Sequence, residues 1–273
     1  MEQRSSGSPE SGYLFGDVEF DLETHRLDLL EALQDPETFE RLRRLPVRRG
    51  DRCLEVGAGA GSVAIFLAAS CGVQGEVVAT DVDTRWLDQL AHPRLRTLRH
   101  DLVKDDVTAL GTFDVIHARL VLTQLGAEQG ELALERLVSI LRPGGRILIE
   151  DLLVINAADP QHPRAADIEE ENAIWYNQLA PKFGVDLRFG LRVPQILSNV
   201  GLTAVASELS GPVTRGGDLY RQWVEANTRS VGSKVDLNSV YRRGVDAVID
   251  MQRDPTLWIC FQAVVATSAT RSS

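Results

Sequence analysis

The stretch Cys53-Leu54-Glu55-Val56-Gly57-Ala58-Gly59-Ala60-Gly61-Ser62-Val63-Ala64 joins a short apolar run to three alternating glycines. Such a run suits a strand covered on both faces. Alternate glycines let the backbone turn tightly and lie against a ligand with no Cβ in the way. The helix expected after them offers unpaired N–H groups at its start, which suits an anionic or hydroxylated ligand. Asp81, with Val82 beside it, stands twenty residues after Gly61 and ends the apolar strand Val77-Val78-Ala79. A carboxylate there can accept both hydroxyl protons of a ribose, or it can cap the helix expected after Asp83. In open parallel sheets the ligand lies beyond the C-terminal ends of the strands. That criterion selects His117, after a fourth strand, and Glu150 or Asp151, after a fifth, as candidate catalytic groups. Histidine has the unperturbed pKa of a general base near neutrality, although a backbone partner or the pocket wall would satisfy it equally well. Adjacent carboxylates at 150 and 151 could hold a divalent cation, but no Asp or Asn pair stands at a helpful distance, so no metal site is expected.

Spacing narrows the ligand. A nicotinamide or flavin fingerprint reads GxGxxG. Here Gly57, Gly59 and Gly61 give GxGxG, led by Glu55. This resembles motif I of the class I S-adenosylmethionine-dependent methyltransferases, written (D/E)xGxGxG. The resemblance implies a cofactor-binding turn made of Glu55, Gly57, Ala58, Gly59 and Gly61, with Asp81 on the cofactor ribose. It implies further that Asp101 holds the adenine amino group and that the backbone N–H of Leu102 meets the ring. The segment Phe113-Asp114-Val115-Ile116-His117-Ala118-Arg119 resembles the family's fourth strand, which would set Ala118 and Arg119 beside the methionine part. Leu141-Arg142-Pro143-Gly144-Gly145-Arg146-Ile147 resembles the late turn into strand five, so the landmarks span residues 50–151 in the family's order. The layout Tyr13…Glu23…Arg26-Leu27 is similar to bacterial small-molecule members, and Tyr13 would then touch the cofactor or simply pack. One departure stands out: many relatives carry histidine a few residues after strand four, where this chain has Gln124.

The elements that must position these residues follow a βαβ rhythm. Strands are expected near 52–56, 76–80, 95–100, 113–118 and 146–150, with helices over 61–70, 83–90 and 128–140. Such alternation predicts an α/β fold, a doubly wound, mostly parallel sheet with helices on both faces. The resemblance adds seven strands in the order 3-2-1-4-5-7-6 with the last one antiparallel. Ahead of the sheet, Leu27, Leu30 and Leu33 stripe one helix, and Asp35-Pro36 reads as the start of a second. The expected organisation is a disordered tail over 1–12, a helical cap over 13–46, and a methyltransferase domain over 47–273. Insertions are expected at about 152–190 and 214–255, and the aromatic residues Trp175, Tyr176, Phe183, Trp223 and Trp258 are concentrated in this half of the chain. In them a loop with Asn156, Pro160 and Pro163 precedes a helix through Ile168, Ile174 and Leu179. A helix over Leu191 to Val200, a strand over Leu202 to Leu209, helices near 216–231 and 236–253, and a strand over Leu257 to Thr267 complete the chain.

Composition excludes several classes. A net charge of −10 disfavours a nucleic-acid partner, because phosphate contacts need clustered lysine and arginine. No apolar run reaches membrane-spanning length, and the polar start lacks a signal-peptide core, so a cytoplasmic protein without a membrane partner is expected. Three scattered cysteines suit small buried hydrophobes in a reducing compartment. The N-terminal helices could pack on a neighbouring subunit as a homodimer. The resemblance implies methyl transfer from S-adenosylmethionine to an O, N or C nucleophile, with S-adenosylhomocysteine as product. The aromatic insertions and acidic charge point to a small, largely apolar acceptor, as in secondary metabolism. The (N/D)PP(Y/F) tetrapeptide of amino-group methylation on nucleobases is missing, with His117-Ala118-Arg119-Leu120 in its place. Three rivals remain: a nucleotide-dependent oxidoreductase, a cofactor-binding enzyme of cyclisation or rearrangement, and a non-catalytic binding module.

Overall fold

A computed structural model describes residues 18–232 and 240–273. The tail expected over 1–12, Tyr13 and the first residues of the cap lie outside the described residues. In chain order the elements are α1 (Phe20–Arg44), β1 (Arg52–Val56), α2 (Ser62–Cys71), β2 (Glu76–Asp81), β3 (Leu95–Arg99), β4 (Phe113–Arg119), α3 (Gly126–Ser139) and β5 (Leu141–Ala158). Then follow α4 (Ala165–Ile174), α5 (Ala180–Phe183), α6 (Val193–Asn199), β6 (Thr203–Ser210), β7 (Thr214–Arg215), α7 (Leu219–Gly232), α8 (Val240–Arg253) and β8 (Trp258–Thr270).

The sheet runs β3-β2-β1-β4-β5-β8-β6, with β7 pairing onto β8. The strands from β3 through β5 are parallel, and β8 is antiparallel to β5, β6 and β7. With the two-residue β7 set aside, this is the expected 3-2-1-4-5-7-6 order. Alternation along the strands sends side chains to two faces, and helices cover both. Leu54, Val78 and Ile116 pack with Leu134 and Leu137 of α3 and Leu197 of α6. Their neighbours Cys53, Val77 and Val115 pack with Val63 and Leu67 of α2 and Leu42 of α1. No helix among the described residues is long and apolar enough to cross a membrane.

Four local expectations are corrected. Asp35-Pro36 does not start a second helix, because α1 runs unbroken from Phe20 to Arg44 with Pro36 inside. Proline costs the helix one hydrogen bond. Packing on both sides of it compensates: Leu27, Leu29 and Leu30 join Trp86 and Trp223, while Leu42 joins α2. The helix expected over 83–90 shrinks to a 3-10 turn at Leu87–Gln89, since Asp83 and Arg85 pair with each other instead. The turn at 141–145 is absorbed into β5, and the loop expected after Asp151 is strand as far as Ala158. Pairing with β8, from Asp151 opposite Val265 to Ala158 opposite Ile259, draws it out. The helix through Ile174 and Leu179 is real but loosens at Trp175–Leu179 into a π turn.

Candidate functional site

A cavity of about 1500 Å³ opens beyond the C-terminal ends of β1, β2 and β4. Glu55, Gly57, Ala58, Gly59, Asp81, Val82, Asp101, Leu102 and Arg119 all line it. The glycine turn owes its shape to backbone angles that only glycine takes freely: φ is +64° at Gly57 and +56° at Gly59. A Cβ on Gly57 would meet Val121 Cγ2 at 2.3 Å. Gly61 stands behind the turn as the cap of α2, at φ +93°, with Leu90 packed where its Cβ would be. Ala118 also stays out of the cavity, buried in the core at the end of β4. Past it Leu120 turns the chain at φ +59°, an uncommon angle for a branched residue and the sort of strain found at functional sites.

The carboxylates on this wall are held by backbone. Asp81 Oδ2 accepts the Gly59 N–H at 2.9 Å and Oδ1 accepts the Asp83 N–H at 3.0 Å. Burial pushes its pKa up against the pull of these donors. Asp81 therefore ties the glycine turn to the end of β2, and the long helix it might have capped is absent. Asp101 Oδ1 accepts from Val103 and Lys104, at 3.0 and 3.2 Å, and the Lys104 ammonium lies 3.3 Å from Oδ2. Burial opposes these contacts, which nevertheless hold its pKa below the ordinary value. Arg119 reaches back to α1, donating to Asp35 at 2.9 Å and to Thr38 at 3.0 Å.

His117 and Glu150 do not line the cavity. His117 is wholly buried, with Nδ1 2.6 Å from Glu55 Oε2 and Nε2 2.9 Å from Glu150 Oε2. Glu150 also accepts from the Thr38 hydroxyl at 2.7 Å and from Arg41 at 2.6 Å. Ionised carboxylates only accept, so an imidazole between two of them would donate from both nitrogens as a cation, while burial pushes the Glu55 pKa up against the pull of His117 and Arg119. Burial works against that charge, yet Glu55 and Glu150 push the His117 pKa up to about 9. Burial likewise opposes Glu150, but His117, Arg119 and Thr38 bring it down to about 2. This node joins α1 to the strand carrying Glu55, directly ahead of the glycine turn. Asp151, sealed against Thr123 and pushed up to about 6 by burial, is likewise outside the cavity lining. His25, exposed, and His162, half-buried, do not line the cavity.

The opposite wall comes from the late part of the chain: Val154, Asn156, Trp175, Phe183, Trp223 and Gln262 among others. Among the described residues, nothing after Asp151 on this wall is ionisable. Several of its polar atoms are buried without a partner, namely Asn156 Oδ1, Trp223 Nε1 and Gln262 Nε2, with Gln124 Oε1 at its edge. Sequence reasoning missed most of these, and it also missed Glu31 and His100, which line the cavity. A lone amide on a strand or helix carries no spacing signal; only the tertiary structure reveals that it is buried without a partner.

Comparison with known proteins now becomes informative. The methyltransferase-domain family model matches residues 54–147. Residues 54–147 are thus a methyltransferase domain. The chain is similar to Methyltransferase str2 of Strobilurus tenacellus, 35% identical over 101 residues, covering 37% of this chain and 35% of that protein. It is also similar to N-methyltransferase sirN of Leptosphaeria maculans, 34% identical over 124 residues, 44% of this chain and 42% of that protein. The chain thus spans less than half the length of these curated relatives. In fold it is similar to a cyclopropane-fatty-acyl-phospholipid synthase-like protein from Lactobacillus casei, with TM-score 0.56 and 18% identity, covering 91% of this chain and 90% of that one. It is likewise similar to phosphoethanolamine N-methyltransferase 2 of Haemonchus contortus, solved with S-adenosylmethionine, with TM-score 0.52 and 14% identity, covering 96% of this chain and 56% of that one.

Proposed function

We propose that the protein transfers a methyl group from S-adenosylmethionine to an oxygen, nitrogen or carbon nucleophile of a small, largely apolar molecule of the kind handled in secondary metabolism. The observation that carries this reading is one cavity of about 1500 Å³ with two unlike walls. That volume exceeds what one drug-sized ligand needs, leaving room for cofactor and acceptor together.

The residues fit the cofactor. Val121 and Leu27 pack where a Cβ on Gly57 or Gly59 would go, so the glycines hold the turn that lines the cavity, and Asp81 keeps lone pairs beyond those given to Gly59 and Asp83. On this reading Asp81 takes the ribose hydroxyls, Asp101 and Leu102 take the adenine, and Arg119 and Leu120 border the methionine end. When bound, the cofactor supplies an activated methyl on a sulfonium, so its transfer needs no further activation of the donor.

What the chain contributes is placement and exclusion of water. Holding two reactants close and dry accounts for much of the barrier in such a displacement. His117 and Glu150 act as positioning residues: they fix Glu55 and the end of β4 and leave the acceptor untouched. The cavity residues after Asp151 include no base, so an acceptor that must lose a proton would have to turn to Glu31 or His100 in the same lining.

Incubation with S-adenosylmethionine and candidate acceptors, read by mass spectrometry, tests the reading. A gain of one methyl group supports it. A rearranged product of unchanged mass would favour cyclisation, and tight cofactor binding without any turnover would favour a binding module.

A further inference from the structure

Building on the reading of this cavity as a methyltransferase site, we infer that α1 is part of the cofactor site, with Glu31 taking the α-ammonium of the cofactor's amino-acid tail. The acid of the glycine motif is engaged elsewhere. Glu55 is only 2% exposed, and its Oε2 lies 2.6 Å from His117 Nδ1.

Among the described residues, Glu31 differs from the other carboxyls that line the cavity. Asp81 is tied to the Gly59 and Asp83 N–H groups, Asp83 pairs with Arg85, and Asp101 pairs with Lys104. Glu19 and Glu128 are exposed, where water solvates them. Glu31 is half-buried and has no ion-pair partner among the described residues. Its Oε1 accepts from the Ser62 N–H at a long 3.4 Å. Arg119 does not neutralise it, because Asp35 at 2.9 Å and Thr38 at 3.0 Å hold that guanidinium further along α1. Burial pushes the Glu31 pKa up, and Asp35 adds to the rise against the pull of Ser62 and Arg119. A carboxylate in that condition gains most from a ligand that brings its own positive charge.

The fold holds this group over the glycine turn. Leu27, Leu30 and Glu31 share one face of α1, at the i, i+3, i+4 spacing of a helix. Leu27 Cδ2 lies 3.3 Å from where a Cβ on Gly59 would stand, and Leu27 and Leu30 pack in one cluster with Ala60 and Leu120. Glu31 therefore stands between the start of α2 and the end of β4, where the tail lies on the reading above. That tail is a zwitterion. A guanidinium has five donors, so Arg119 keeps some for its carboxylate, and Glu31 meets its ammonium. The rival role for Glu31 is a cap on α2, since an acid near a helix N-terminus stabilises it whatever ligand is bound.

Calorimetry with two ligands separates these roles. S-adenosylhomocysteine and its deaminated analogue, with hydrogen in place of the α-amino group, are titrated into wild type, Glu31→Gln and Glu31→Ala. Two variants guard against a folding defect in either. Wild type should bind S-adenosylhomocysteine at least about tenfold tighter than the analogue. Both variants should lose most of that preference while holding the analogue as before. A preference that survives in the variants, or one that wild type never shows, would overturn the inference. Equal weakening of both ligands would leave Glu31 as a cap on α2 and overturn it as well. If neither ligand binds wild type, the methyltransferase reading itself falls, and the inference with it.

Discussion

The two walls of the cavity treat their polar groups in opposite ways. On the early wall Asp81, Asp101 and Arg119 are charged, and each is tied to a neighbouring backbone or side chain before any ligand arrives. On the late wall the polar groups are neutral, and several have no partner at all. Pre-organised charge suits a ligand that never varies, because its binding then carries little cost of ordering. A buried amide left unpaired costs stability, because it gives up water and gains no partner. The comparison teaches that charge on one side of the cavity is settled by local partners, whereas amides packed among aromatic side chains on the other are not all matched.

The largest effect should come from breaking what underlies the early wall. His117→Ala leaves Glu55 and Glu150 facing each other without their shared cation. Breaking a buried ion pair in this way costs about 3–5 kcal/mol. Urea denaturation measures it, and a loss below about 1 kcal/mol would mean that the node does not hold the wall together.

Titrating the same node gives the next effect. The His117 pKa is about 9 in the fold against 6.5 free, so its contribution is complete below 6.5 and is lost as pH rises through 9. Stability should therefore fall by up to about 3 kcal/mol between neutral pH and pH 10. Asp151, raised to about 6, adds a smaller decline over the lower range, as pH rises from about 4 to 6. Glu150, lowered to about 2, gives stability that is present above its free value and disappears as pH falls through 2. Melting curves against pH read all three. In His117→Gln the alkaline decline should vanish, and its persistence would assign that decline to another group.

Asp81→Ala should weaken S-adenosylhomocysteine binding by about 1–3 kcal/mol, through loss of charge-assisted hydrogen bonds and of the anchor on Gly59. Isothermal titration reads the change. Unchanged affinity would take Asp81 out of the site. The late-wall substitutions Gln262→Leu and Trp223→Phe should leave this affinity alone, so a similar loss from either would erase the distinction between the walls.

The same contrast explains what could be read from sequence. Glycines at 57, 59 and 61 and a carboxylate at 81 are forced by backbone geometry and strand ends, and such constraints leave fixed spacings. The sheet order came only through the resemblance those spacings support. His117 was legible as a residue at a strand end, but its surroundings were not, because Glu55, Thr38 and Arg41 converge on it and Glu150 from three separate segments. Pro36 misled the reading of α1 because local propensity argues for a break and tertiary packing overrides it. The late wall was legible only as aromatic-rich. Whether an asparagine faces water, a carbonyl or a buried site with no partner depends on the register of β5 on β8, which no local pattern encodes.

The smallest effect is the sharpest on the late wall. Asn156 holds φ at +47°, an angle glycine adopts without strain, and its Oδ1 is buried with no partner. Asn156→Gly relieves both conditions but adds freedom to the unfolded chain, and these contributions oppose each other. Stability should therefore move by no more than about 0.5 kcal/mol, with cofactor affinity unchanged. Urea denaturation reads the change, and a loss of several kcal/mol would mean that the Asn156 side chain itself holds the bulge in β5 together.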